Sequence, residues 1–336
     1  MTTRMDRRSF ATLAGASLIS APFVSRASAQ ALTPIKVGYD GFSMTTSPMN
    51  YAFQKGIFRK HGLDLNMVYI DAGVTLTQAV VGGSVDIGQN GYTPAAAAAV
   101  QGGDIVFIGG ISNKLPFQLI VKKEIKTPAD LKGKKIAISR LGSSSDTAAG
   151  FAVAHLGLKR SDVTLLQLGG EGTRTAAMMS GQIDGSMEQL PRSAELEEDG
   201  RFHMLVDCTV VAGDYPNTSY VARRSTVKAK PDLIKRFMAA MGEGIHAYKT
   251  NKAEALEMSA AFLKTPNNHS LELTYDSFSK IIFPDIPRPS MTGIQLVLDE
   301  MKEKLPAAGK VKPADITDTT ALDELEKEGF FAKLSK

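Results

Sequence analysis

One pattern occurs twice in this chain, at 75–86 and again at 173–184. Thr75, Thr77, Ala79, Gly83 and Asp86 reappear as Thr173, Thr175, Ala177, Gly181 and Asp184, each 98 positions on, with apolar residues matched between them. Upstream, Asp64, Leu65 and Asn66 answer Asp162, Val163 and Thr164 at the same offset, and 35–37 answers 136–138 within a few residues of it. A single offset over three segments marks two successive units built in one order: strand, loop, helix, strand, helix, short strand. Strands alternating with helices imply mostly parallel sheets with helices on both faces. The expected fold is therefore α/β, with two lobes that are each a mostly parallel sheet flanked by helices. Such sheets bind ligands outside the carboxyl ends of their strands. Loops 39–43 and 89–93 of the first unit and 139–145 and 188–189 of the second are thus expected to meet at one cleft.

Local signals place the elements. The run 35–39 has strand composition, 48–55 and 57–61 read as helices stopped by Gly56 and Gly62, and 63–68 alternates like a strand. A helix is expected over 75–81, a strand over 84–88, and a helix over 95–100 opened by Pro94 with Thr93 as its cap. In the second unit a strand over 135–139 leads through a Gly/Ser turn into a helix over 147–156. Two apolar segments, 117–121 and 218–222, are expected to cross between the lobes as hinge strands. The lobes then comprise 32–117 with 222–336, and 118–221. Five helices close the chain, at 231–248, 252–263, 271–281, 293–305 and 320–328, and are expected to pack back on the first lobe.

The net charge of +4 is concentrated at the start, where Arg4, Arg7, Arg8 and Arg26 stand against Asp6. The near-neutral remainder argues against a nucleic-acid partner. Cys208 is the only cysteine and the five histidines lack ligand spacings, so no disulfide, metal site or cofactor is expected. Residues 1–29 read as a cleaved export signal, with a charged start, an apolar run from 11 to 24 and Ala27-Ser28-Ala29 at the cut. Arg7 and Arg8 before Ser9 and Phe10 resemble a twin-arginine signal, although Ala11 and Thr12 depart from its usual continuation. The charge runs 132–135 and 195–199 read as solvated faces.

The turn after 135–139 carries the sharpest chemical signal. Gly142, Ser143 and Ser144 at a helix start offer N–H and hydroxyl donors with the positive helix end behind them, which suits an anion. The plainer reading makes these serines helix caps alone. Arg140 beside the turn is the expected anion partner, since a guanidinium holds a carboxylate or sulfonate with two parallel hydrogen bonds. Tyr92 and Thr93 are expected to close from the first lobe, with Ser43 beside them, Phe42 and Tyr39 as aromatic walls and Asn217 as an amide contact. Glu188 is expected either to pair with Arg140 or to accept from a ligand amine or hydroxyl.

The runs 55–63, 82–88, 127–137 and 181–185 together resemble the periplasmic solute-binding proteins of nitrate, sulfonate, taurine and thiamine-pyrimidine-precursor uptake systems. The resemblance implies a hinged, two-lobe periplasmic binding fold of type II. It also implies a free periplasmic protein, without catalysis, that delivers a small solute to an ABC transporter permease; a monomer is expected. This sequence has Ser186-Met187-Glu188-Gln189-Leu190-Pro191 after its second repeat and no tryptophan, where sulfonate and taurine binders usually carry one. An organic anion, an aromatic carboxylate or a sulfonate, is the expected solute, with a pyrimidine precursor or other nitrogenous heterocycle as the alternative. The pyrimidine-synthase relatives of this fold use a cysteine-rich iron motif that Cys208 alone does not supply. Presentation of the solute to a membrane sensor is the remaining alternative.

Overall fold

Thr33–Tyr39 alternates exposed Pro34 and Lys36 with buried Ile35 and Val37, then ends in the buried strand residues Gly38 and Tyr39. This is strand β1 of a computed structural model that describes residues 31–334; the export signal expected at 1–29 lies outside the described residues. The other strands are β2 (Leu63–Tyr69), β3 (Ile87–Gly91), β4 (Val106–Ser112), β5 (Gln118–Lys122), β6 (Lys135–Ile138), β7 (Thr164–Gln167), β8 (Gly185–Glu188), β9 (Phe202–Asp207) and β10 (Thr218–Ala222). They form two five-stranded sheets, ordered β2-β1-β3-β10-β4 and β7-β6-β8-β5-β9. In each sheet one strand runs against the rest, β10 in the first and β5 in the second.

The repeat is a structural one. Helix Gly73–Val81 has its counterpart in Glu171–Met179, displaced by 98 residues at both ends, and Gly83 and Gly181 end these helices at φ 76° and 75°. That backbone region costs other residues a steric penalty, so glycine recurs there. The recurring aspartate closes the unit. Asp86 accepts from the Lys36 N–H at 2.9 Å and Asp184 from the Lys135 N–H at 3.0 Å, while each returns its own N–H to the same strand residue's carbonyl.

Several element edges differ from the sequence expectation for local reasons. The strand expected at 84–88 begins at Ile87, because the Ser84 N–H still closes the preceding helix on the Ala79 carbonyl. The next helix is Tyr92–Val100, and Thr93 lies inside it rather than capping it. Asn90 Oδ1 takes the Gly91 N–H and the Asn217 carbonyl takes that of Tyr92, so the leading donors are satisfied without Thr93. Helix Ser144–His155 starts three residues before the expected 147, with Ser143 accepting from the Asp146 N–H. Helix His269–Ser277 passes into a π turn at Phe278–Ile282.

Neither expected hinge strand runs between the sheets. Gln118–Lys122 belongs wholly to the second and Thr218–Ala222 wholly to the first, and the chain crosses just before each, through 113–117 and 208–217. An incoming strand finds pairing partners on both sides once it enters a sheet, so the crossing falls to the segment before it. One apolar core lies between the first sheet and the helices Pro231–Thr250 and Lys252–Leu263, with Phe58 stacked on Phe237. A second runs through the crossing and unites Tyr92, Phe107 and Ile294 with Leu119, Ala148 and Tyr215. No helix among the described residues is long and apolar enough to cross a membrane.

Asp86→Ala and Asp184→Ala each remove one charge-assisted acceptor from a strand N–H, and each is expected to lower the unfolding free energy by about 1 kcal/mol in denaturant titrations. Unchanged midpoints for both would deny the aspartates this part in closing the units.

Candidate functional site

The carboxyl ends of six strands and the starts of four helices open on one chamber between the lobes. The first lobe contributes Asp40 and Ser43 after β1, Ala72 and Gly73 after β2, and Gly91 at the end of β3. From the second come Ser139, Ser143 and Ser144 after β6, Gly170 and Glu171 after β7, and Gln189 after β8. Phe117, Asn217 and Thr218, where the chain crosses, complete the wall. Helices Gly73–Val81, Tyr92–Val100, Ser144–His155 and Glu171–Met179 all begin here, so positive dipole ends point inward from both lobes. The chamber measures about 60 Å³, room for on the order of five water-sized groups.

The serine turn divides its labour. The Ser139, Ser143 and Ser145 hydroxyls bond one another at 2.9 to 3.0 Å, and Ser143 also caps the helix. The Ser144 hydroxyl has no such partner among the described residues and lies in the wall. Gly91 faces it across the lobes: a Cβ there would come within 2.3 Å of Ser144 Oγ. Ala72, at φ 69° and ψ 135°, holds a conformation that costs a non-glycine residue about 1–3 kcal/mol. Its repeat mate Gly170 sits at φ −65°. The strain is thus local to the first lobe's corner of the chamber.

Arg174 is 2% exposed and yet reaches the chamber wall. Its Nη1 donates to the Gly169 carbonyl at 2.7 Å, its Nη2 to that of Met187 at 2.9 Å, and its Nε stands 3.5 Å from Glu188 Oε1. Glu188 is wholly buried and also accepts from Ser186. Burial raises its carboxyl above the ordinary range, against the pull of Arg174. At the repeat-equivalent positions of the first lobe stand Leu76 and Asn90, both buried and uncharged. Two further carboxyls face the chamber: burial pushes Glu171 up to about 8, against the pull of Arg174, and Asp40 up to about 7.

Ser43, Ser143, Ser144 and Asn217, of the residues singled out in the sequence, line the chamber. Arg140 stands outside the lining, half-exposed, with its guanidinium 3.9 Å from Asp71 of the other lobe. Gly142 also lies outside, its N–H spent on Asp146 at 2.9 Å. Tyr92 turns into the core, stacked on Phe107 at 4.9 Å, and Thr93 meets Tyr215 at 3.2 Å and Thr147 at 3.4 Å across the lobes. Tyr39 and Phe42 belong to an aromatic group with Tyr69 and Phe262, beside the chamber rather than in its wall. Glu188 is taken up by Arg174 and does not meet Arg140. Asp40, Gly91 and Gln189 lie in loops expected at the cleft without having been singled out as contacts, and sequence reasoning missed the paired corners 72–73 and 170–171. A glycine following the strand and preceding the helix in each unit was the readable sign of those corners.

Arg174→Leu strands Glu188 in the interior and is expected to lower stability by about 3–5 kcal/mol. Combining it with Glu188→Asn recreates the first lobe's pair and should recover most of that loss in denaturant titrations. A double variant as unstable as the single would contradict the pairing.

The family described as NMT1/THI5 like matches residues 44–255. A protein of Brucella abortus (strain 2308) named only as a binding protein is 29% identical over 241 residues, covering 69% of this chain and 72% of its own. The taurine-binding periplasmic protein of Escherichia coli K12 is 29% identical over 235 residues, 68% of this chain and 69% of its own. The alkanesulfonate-binding protein of Xanthomonas axonopodis pv. citri, solved bound to MOPS, superposes with a TM-score of 0.73 at 22% identity, over 85% of this chain and 98% of its own. It shares the fold, two lobes with mostly parallel sheets. The family match spans well over half of the sequence, and the chain belongs to the NMT1/THI5-like family.

Proposed function

We propose that this chain is a periplasmic solute-binding protein that captures a small organic acid between its lobes and delivers it to an ABC importer. The observation that carries the reading is the chamber itself, into which helix starts from both lobes point their N–H groups. An anion there meets donors and positive dipole ends on two sides, with the Ser144 hydroxyl unspent among them. Holding it by both lobes links binding to closure about the crossing segments 113–117 and 208–217. The kinship with taurine and sulfonate binders supports the class of solute. A sulfonate or carboxylate of compact shape fits the chamber's size. A second reading extends the site, because a side cavity lined by Phe42, Tyr69 and Phe262 shares Gly41 and Glu171 with the chamber. An aromatic acid would lay its ring there.

A thermal-shift panel of alkyl and aromatic sulfonates, carboxylates, nitrate and pyrimidines tests this. A bound acid at 100 times its dissociation constant stabilises by about 2.7 kcal/mol, and Ser144→Ala is expected to weaken it by roughly tenfold. No response to any acid would end the proposal, and a response to pyrimidines alone would replace it with the heterocycle alternative.

A further inference from the structure

The chamber holds more carboxyl groups than an anion-binding site requires. Asp40 from the first lobe and Glu171 from the second both line it. The nearby guanidiniums are already committed, Arg140 to Asp71, Arg174 to Glu188 and Arg192 to Glu195. Asp71 stands close enough to Asp40 to disfavour its ionisation further. A third acceptor joins them: Gln189 is only 5% exposed, lines the same chamber, and its Oε1 has no hydrogen-bond partner among the described residues. A desolvated carboxylate without a counter-charge is costly, and an orphaned buried acceptor adds to that cost.

We infer that the solute is a zwitterion, with a protonated amine held by Asp40, Glu171 and the Gln189 side-chain carbonyl while its acid group lies at the helix starts. The inference rests on the proposed solute site and names the chemical class that site selects. An ammonium presents three N–H donors and no acceptor. These three acceptors match that inventory, and two of them are carboxyls that an adjacent ammonium draws into the charged form. A solute that is only an anion leaves all three acceptors unmet and disfavours the ionisation of both carboxyls further. An amine also explains why the two carboxyls come from different lobes: closure brings them onto one group, so the amine, like the acid, reports that both lobes have closed.

Isothermal titration of the mature full-length protein with matched pairs tests this. The pairs are aminoalkanesulfonates and aminoalkanoates of two to six carbons, each against the same acid lacking the amine. The amino member of at least one pair is expected to bind tenfold or more tightly than its partner. In Asp40→Asn and Glu171→Gln that ratio is expected to collapse toward one, and far-UV circular dichroism with thermal unfolding checks that both variants fold. Equal or tighter binding of the acids lacking an amine overturns the inference and leaves the proposed function standing. An amine preference that survives both substitutions overturns the assignment of these carboxyls. Silence from every acid, with or without an amine, overturns the proposed function and this inference with it.

Discussion

Each lobe completes its sheet with a strand delivered by chain that has just left the other lobe. β5 enters the second sheet directly after the first crossing, and β10 enters the first directly after the second, each as the one reversed strand. Backbone donors and acceptors at a sheet centre must be paired, so these two strands fix both crossings beside the middle of the sheets. The crossings thereby become part of the chamber wall, at Phe117, Asn217 and Thr218. Between the two sheets the chain passes through short segments that adjoin the place where a solute would sit.

The electrostatics of the chamber come from the backbone before they come from side chains. Helix starts supply the positive end, and the wall around them is made mostly of hydroxyls, glycine backbone and carboxyls, with the Gln189 and Asn217 amides, Phe117 and Arg174. Arginines are near but employed elsewhere. Arg174 braces the Gly169 and Met187 carbonyls and neutralises Glu188, so it shapes the corner from which Glu171 projects. Arg140 bridges to Asp71 across the lobes. At a half-exposed site such a bridge contributes little to stability, and its geometric consequence is to join the rims of the chamber.

The fold was legible because the repeat encodes spacing. Helices 73–81 and 171–179 obey the offset to the residue, and the aspartates ending the pattern serve one backbone purpose twice. The four loops expected at the cleft do meet there. Which side chains of those loops face inward was not legible, since a loop's position does not specify where its side chains point. Tyr92 illustrates this: it begins a helix at the chamber and still turns into the core, because Phe107 and the Ser290 N–H receive it. Arg140 was misleading for a related reason. Its partner Asp71 lies in the other unit, and no local pattern brings the two together. Arg174 carried a readable sign, a charged residue at the position where the first unit has buried Leu76.

The central claim is that one solute is held by both lobes at once. A crystal structure of the protein grown with an acid that stabilises it tests this most directly. The account predicts the acid's oxygens at about 3 Å from Ser144 Oγ and from backbone N–H groups of both lobes. A solute seated wholly in the side cavity by Phe42 and Tyr69, or touching a single lobe, would contradict it.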